Sequence, residues 1–309
     1  MPTLPSLTHR RAVFLMILVT LMWSIAGVVT RHLDVARSFE VNFWRSLCNA
    51  LALLVALRVM RGPAFLHGLT TARWPVWASS LSWAAMFTAF MIALTLTTVA
   101  NVLVTQALGP LITAIFVRLF LRHRLPARTW AAIALGGAGI AWMFGQEAAA
   151  GASLTGSLIA LVVPFAAATN WTLLQSTAAA RDGDGTPSSD MLPAILIGAL
   201  ISASITLPFA WPLQASLHDI ALLALLGVLQ LAIPCLLLVR LSRDLPAAEI
   251  ALLGLLEILF GVAWAWLGAS EQPSRATLTG GSLVIAALIL NEILAIRQKR
   301  KVLAASKIF

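Results

Sequence analysis

Ionisable and amide side chains inside long apolar runs are where this sequence could do chemistry, because burial away from water makes them costly. Glu257 is the sharpest case. It lies at the centre of an apolar run from about Ala247 to Leu267. A carboxyl there would serve as a proton-coupling group or as the partner of a ligand ammonium. A protonated carboxyl that ties its helix to a neighbour by one hydrogen bond fits the position equally well. Asn101, Thr105 and Gln106 follow one helix, with Asn101 and Thr105 on one face. Asn170, Trp171 and Gln175 share a second run, and Gln230 occupies a third. Amides and hydroxyls can bind both ends of a zwitterion without a charge to desolvate. Taken singly, each also reads as an interhelical hydrogen bond.

Two prolines and four aromatics complete the candidate set. Pro110 and Pro164 lie within apolar runs, and each frees the carbonyl four residues earlier, in Gln106 and Ala160. They are hinge candidates or simple kinks. Trp23, Phe87, Phe90 and Trp171 lie deep in their runs. They would wall an apolar pocket or face lipid. Trp74, Trp77, Trp130, Trp142, Trp211 and Trp266 fall near run ends and read as an interfacial belt. Three charged residues are read as structural. Arg45 could hold a carboxylate, but it lies near the outer end of its run, five residues after Glu40, and snorkelling or pairing with Glu40 is the preferred account; Arg118 snorkels; Glu249 suits the first turn of its helix.

The elements that hold these residues must be membrane helices. The 309 residues are 60% hydrophobic and 11% charged, with a mean hydropathy of +0.92. A soluble domain carries about 25% charge, so a soluble enzyme is excluded, and so is disorder. Unbroken apolar runs exclude an outer-membrane barrel, whose strands alternate. Cys48 and Cys235 both sit in apolar runs, which suggests neither a disulfide framework nor a thiolate metal site. No His-Glu-x-x-His and no Gly-x-x-x-x-Gly-Lys motif is present. None of His9, His32, His67, His123 and His218 is mid-span. No enzyme activity, metal, cofactor or nucleic-acid partner is therefore expected.

The runs count to ten. They are Ala12 to Thr30, Val41 to Leu57, Trp74 to Val117 divided near Thr97-Thr98, Thr129 to Phe144, Gly156 to Thr177, Met191 to Phe209, Ile220 to Val239, Ala247 to Leu267, and Thr277 to Ile296. With the N-terminus in the cytoplasm, seventeen of the 21 Lys and Arg fall on the cytoplasmic side. Arg31, Arg37 and Arg275 fall outside, and Arg45 lies within a span. The positive-inside rule thus places both termini in the cytoplasm, and the net charge of +9 marks a membrane face.

The two halves look related. Leu108-Gly109-Pro110-Leu111 through Pro126-Ala127-Arg128 lies on Leu255-Leu256-Glu257-Ile258 through Pro273-Ser274-Arg275 at a register of 147 residues. Each copy runs into a Pro-x-Arg turn and then a helix with paired glycines, Gly136-Gly137 and Gly280-Gly281. Five helices are an odd number, so the second copy enters from the opposite side. The expected fold is an all-α polytopic membrane protein of ten helices in two inverted five-helix repeats, residues 1–150 and 151–309. That architecture belongs to secondary transporters, with the substrate site between the halves. A passive facilitator or channel is the rival reading.

The stretch Ala93-Leu94-Thr95-Leu96-Thr97-Thr98-Val99-Ala100-Asn101, then Pro110 and Leu119-Phe120-Leu121, resembles the first-half pattern of the drug/metabolite transporter superfamily, EamA type. Leu256-Glu257 followed by Gly268-Ala269-Ser270-Glu271 is similar to its second half, and Trp23 and Arg45 stand where that family places Trp and Arg. The pattern departs at His123, where a Glu is usual, and at Ile258, where a Pro often follows the Glu. The resemblance is nearest to the bacterial aromatic amino-acid exporter branch. It implies an exporter of amino acids, or of drugs or other small metabolites, in the bacterial inner membrane; the sequence leaves the oligomeric state open, with a monomer favoured. It also implies that the first, third, fourth, sixth, eighth and ninth helices surround a central cavity.

Overall fold

The computed structural model describes residues 7–36, 38–62, 73–120, 126–150, 153–183, 190–242, 244–245, 250 and 253–305. Among them every regular element is helical. Seven helices are long and apolar enough to cross a membrane: His9–Thr30, Ser38–Arg61, Trp74–Leu96, Val99–Phe120, Thr155–Thr177, Leu192–Ala210 and Leu217–Leu241. Leu256–Ala269 and Arg275–Asn291 are shorter apolar helices, and Ala127–Ala149 is a helix of 23 residues. The long uncharged run does divide at Thr97-Thr98. Thr97 is extended and Thr98 caps the next helix by accepting from the Asn101 N–H at 3.2 Å.

Several of these rods are interrupted, and proline chemistry accounts for most of the interruptions. Val99–Gln106 ends in a turn at 107–108 before the helix Gly109–Phe120 begins, with Pro110 in its first turn. Thr155–Ala160 breaks at Leu161 before Val162–Gly183, which carries Pro164. Pro110 and Pro164 lack the N–H that would continue the ladder to Gln106 and Ala160, and the breaks fall just after those residues. Leu217–Leu225 widens into a π-helical stretch, Leu226–Ala232, before Ile233–Leu241. Pro234 explains that widening, because it cannot donate to Gln230 four residues back. The apolar run around Glu257 is not one continuous helix either. Leu255 is a turn residue, and Glu257 stands in the first turn of Leu256–Ala269 rather than at a helix centre.

The helices pack through small and hydroxylated residues, as expected where lipid removes the hydrophobic drive between them. Ser38–Arg61 lies against Leu192–Ala210, where the Asn42 amide donates to Ser202 Oγ at 2.9 Å and Thr88 and Ser46 hydroxyls reach the same oxygen. Ala127–Ala149 lies along Arg275–Ala305. There Gly139 and Gly280 are in mutual backbone contact, and a Cβ on Gly280 would meet Gly139 O at 2.5 Å. Backbone cannot yield as a side chain can, so Gly280→Ala should cost about 1–3 kcal/mol by overpacking. A thermal-unfolding midpoint in detergent lowered by several degrees is the expected result; an unchanged midpoint would show the two helices are not held this closely.

One end of the bundle is clamped by charged side chains, most of them partly buried or exposed. Arg31 donates to Glu271 at 2.8 Å, to Leu94 O at 2.7 Å and to Thr97 O at 2.8 Å. Glu271 in turn accepts the Val99 N–H at 2.6 Å. Asp219 accepts backbone N–H groups of Asp34, Val35 and Ala36 and closes a capping box with Ser216. His218 pairs with Asp34 beside it, but the Asp219 oxygens are already engaged by backbone.

Candidate functional site

The interrupted helices converge on a cavity of about 950 Å³, its open mouth included. Every helical segment with a proline-linked break reaches it. Val99–Gln106 contributes Leu103 and Gln106, and the next helix contributes Gly109 and Pro110. Val162–Gly183 contributes Val163, Pro164, Ala167 and Trp171, and the π-helical stretch contributes Gln230 and Leu231. Glu257 and Ile258 enter from the start of Leu256–Ala269. A break exposes main-chain groups and tilts the following turn, which is how an apolar helix can present polar atoms to an internal space.

Aromatic rings form much of the wall. Trp23, Trp83, Phe87, Phe90 and Trp171 all line it. Trp83 meets Trp171 edge to face at a centroid distance of 5.7 Å, and its ring lies 5.5 Å from Phe87. The geometry is that of preferred aromatic pairs. The four aromatics expected from sequence thus share one surface. Trp83 was not among them, although its spacing of four from Phe87 puts both on one helix face. The six tryptophans read as a belt are all substantially exposed.

The polar candidates divide. Gln106, Gln230 and Glu257 line the cavity, and so do both hinge candidates, Pro110 and Pro164. Asn101, Thr105, Asn170 and Gln175 do not. Asn101 donates to Thr97 Oγ1 and accepts from Thr277 Oγ1, bridging to the Arg275–Ala305 helix. Thr105 donates to the carbonyl of Asn101 within its own helix at 2.8 Å. Asn170 accepts from Ser79 Oγ, and Gln175 is exposed on the protein's outside. A residue's place in a run says how deep it lies but not which neighbour it faces.

Arg45 requires a larger correction. It neither snorkels nor pairs with Glu40. Its side chain is completely buried and lines the cavity. Nη2 donates to the Phe87 carbonyl at 2.6 Å and Nη1 to Gln230 Oε1 at 3.2 Å, while the guanidinium carbon lies 5.9 Å from the centre of the Phe90 ring. Glu40 is spent elsewhere: one of its oxygens accepts the N–H groups of Gln214 and Ala215, each at 2.7 Å. The signal for Arg45 was its place within the Ser38–Arg61 span at all, since an ionisable residue inside a span usually faces a cavity. Arg118 is exposed, and Glu249 lies outside the described residues.

Among the described residues, the cavity therefore joins an aromatic wall to one guanidinium, one carboxyl, one thiol and two primary amides. Glu257 forms no hydrogen bond or ion pair among the described residues. The chemistry this wall can offer is recognition of a small amphipathic molecule.

Residues 10–145 match the EamA-like transporter family. The match agrees with the EamA-type resemblance read in the sequence over that part of the chain, and the family it names is one of transporters. The EamA-like segment supplies Trp23, Arg45, the aromatic helix and the break at Pro110; Trp171, Gln230 and Glu257 come from beyond it. A solved crystal structure superposes with a TM-score of 0.63 at 19% identity, covering 94% of this chain and 99% of that one. At that identity the likeness is one of fold. No curated protein matches the chain.

Proposed function

We propose that this EamA-type chain is a secondary transporter that exports amino acids, aromatic and other apolar ones first, with similar small metabolites, by alternating access. The observation that carries the reading is the cavity wall itself, with Trp83, Trp171 and Phe87 packed beside Gln230 and Glu257. An aromatic surface suits an apolar side chain, and the polar groups suit an ammonium and a carboxylate. Ten spans in two inverted halves complete the proposal. In its favour, the break at Ala107-Leu108 corresponds to the turn at Leu255 in the same 147-residue register that aligns the halves. The helices read as second and seventh pack together, and so do those read as fifth and tenth, as a pseudo-two-fold arrangement requires. On this reading both termini face the cytoplasm of a bacterial inner membrane, and the Arg31–Glu271 clamp closes the outer end.

Saturable counterflow of radiolabelled phenylalanine in proteoliposomes is the expected result. Flux that does not saturate would make the protein a passive facilitator, and no flux across an amino-acid panel would remove the amino-acid reading. Trp171→Ala should lower phenylalanine transport about tenfold, by loss of the Trp83 edge contact and of apolar area, with expression retained. Wild-type flux in that variant would take Trp171 out of the binding surface.

A further inference from the structure

We propose that Arg45 is the carboxylate-binding residue of this cavity, so that what the protein carries must bear a free carboxylate. The inference deepens the proposed function and rests on its reading of the cavity as the transport site. Four observations lead to it. Arg45 is fully buried, so water does not solvate its charge. None of the ion pairs among the described residues includes it; those of Arg31, Arg61, Arg240 and His218 do not reach the cavity. Nε is buried and has no acceptor, and Nη1 is held only by the long 3.2 Å contact to a neutral amide oxygen of Gln230. Glu257, the carboxyl on the same wall, is not paired with it.

A guanidinium has five N–H donors in a planar fork that matches a carboxylate. Here two nitrogens have acceptors and the third has none. An uncompensated buried charge is strongly unfavourable, and an arriving carboxylate would supply the missing counter-charge. Gln230 then reads as a placeholder. Its Oε1 occupies an acceptor position that a ligand oxygen would fill with a stronger, charge-assisted bond. The π-helical stretch delivers Gln230 to that position, and Gly227 in the same stretch lets it lie directly on the backbone of Arg45. A zwitterion would meet Arg45 with its carboxylate and Glu257 with its ammonium.

The test compares three ligands on the wild-type protein in nanodiscs by isothermal titration calorimetry: L-phenylalanine, 3-phenylpropionate, which lacks the amine, and phenethylamine, which lacks the carboxylate. Phenylalanine and phenylpropionate should bind, with phenethylamine at least tenfold weaker than phenylalanine. Arg45→Gln should lose phenylalanine binding by more than tenfold, and Arg45→Lys, which keeps the charge but not the fork, should recover part of it. Phenethylamine binding as well as phenylalanine would overturn the anchor while leaving the amino-acid reading intact. Phenylpropionate binding without phenylalanine would keep the anchor and remove the amino-acid reading. Binding by none of the three would overturn both. Since the comparison uses wild-type protein, it decides the matter even if the Arg45 variants do not fold.

Discussion

Gly227→Ala should reduce phenylalanine transport at least tenfold and lower the thermal-unfolding midpoint by several degrees. A Cβ at this position would stand 2.8 Å from both Arg45 O and Asn49 N and 2.9 Å from Cys48 Cβ. Two of those three neighbours are backbone atoms of a long helix, so relief requires the π-helical stretch to move off Ser38–Arg61 as a body. Alanine is intrinsically better than glycine in a helix by about 1 kcal/mol, whereas overpacking of a closed contact costs about 1–3 kcal/mol. Because the contact is with backbone, the second effect should prevail. The functional loss should exceed the stability loss. The Arg45–Gln230 hydrogen bond is already 3.2 Å long, and a displacement of a few tenths of an ångström takes it out of range. Gly137→Ala is the control, since nothing lies within 4 Å of the added atom; it should keep transport and stability. Equal behaviour of the two variants would mean that the π-helical stretch does not depend on this contact.

The same stretch shows where sequence reading reaches its limit. Apolar run length found the helices, and Pro110 and Pro164 marked breaks that the structure contains, because a missing N–H acts locally. Pro234 carries the same information, yet its consequence is a π-helical widening that only the packing against Ser38–Arg61 makes useful. Arg45 failed differently. Pairing with Glu40 looked natural at five residues' separation, but at about 100° per residue the two side chains point about 140° apart around the helix. Glu40 instead meets Trp44, four residues on, and a loop beyond the helix. Asn101 and Asn170 are buried and turn towards neighbouring helices, because a buried amide takes the first good partner that packing offers. Depth is a one-dimensional property and can be read along the chain. Facing is a property of the assembled bundle.

Glu257→Gln separates the two ends of the proposed ligand. Glutamine keeps the size of the side chain and its capacity to accept a hydrogen bond, but it cannot carry charge. Among the described residues on the cavity wall, Glu257 has the one carboxyl, so in this variant a ligand ammonium would face neutral acceptors and the guanidinium of Arg45 there. A hydrogen bond to a charged group contributes about 1.5–3 kcal/mol, and its loss corresponds to roughly a 10- to 150-fold rise in the KM for phenylalanine. Binding of 3-phenylpropionate should be unchanged or tighter, since it brings no ammonium. The pH profile of transport discriminates further. If ionised Glu257 holds the ammonium, wild-type transport falls as the carboxyl is protonated at low pH, and the variant lacks that limb. A purely structural Glu257 would predict a common loss for both ligands and an unaltered profile. Its place argues against that role: it stands just after the turn at Leu255, on the cavity wall and without a hydrogen-bond or ion-pair partner among the described residues. A carboxyl that tied two helices together would show the bond that ties them.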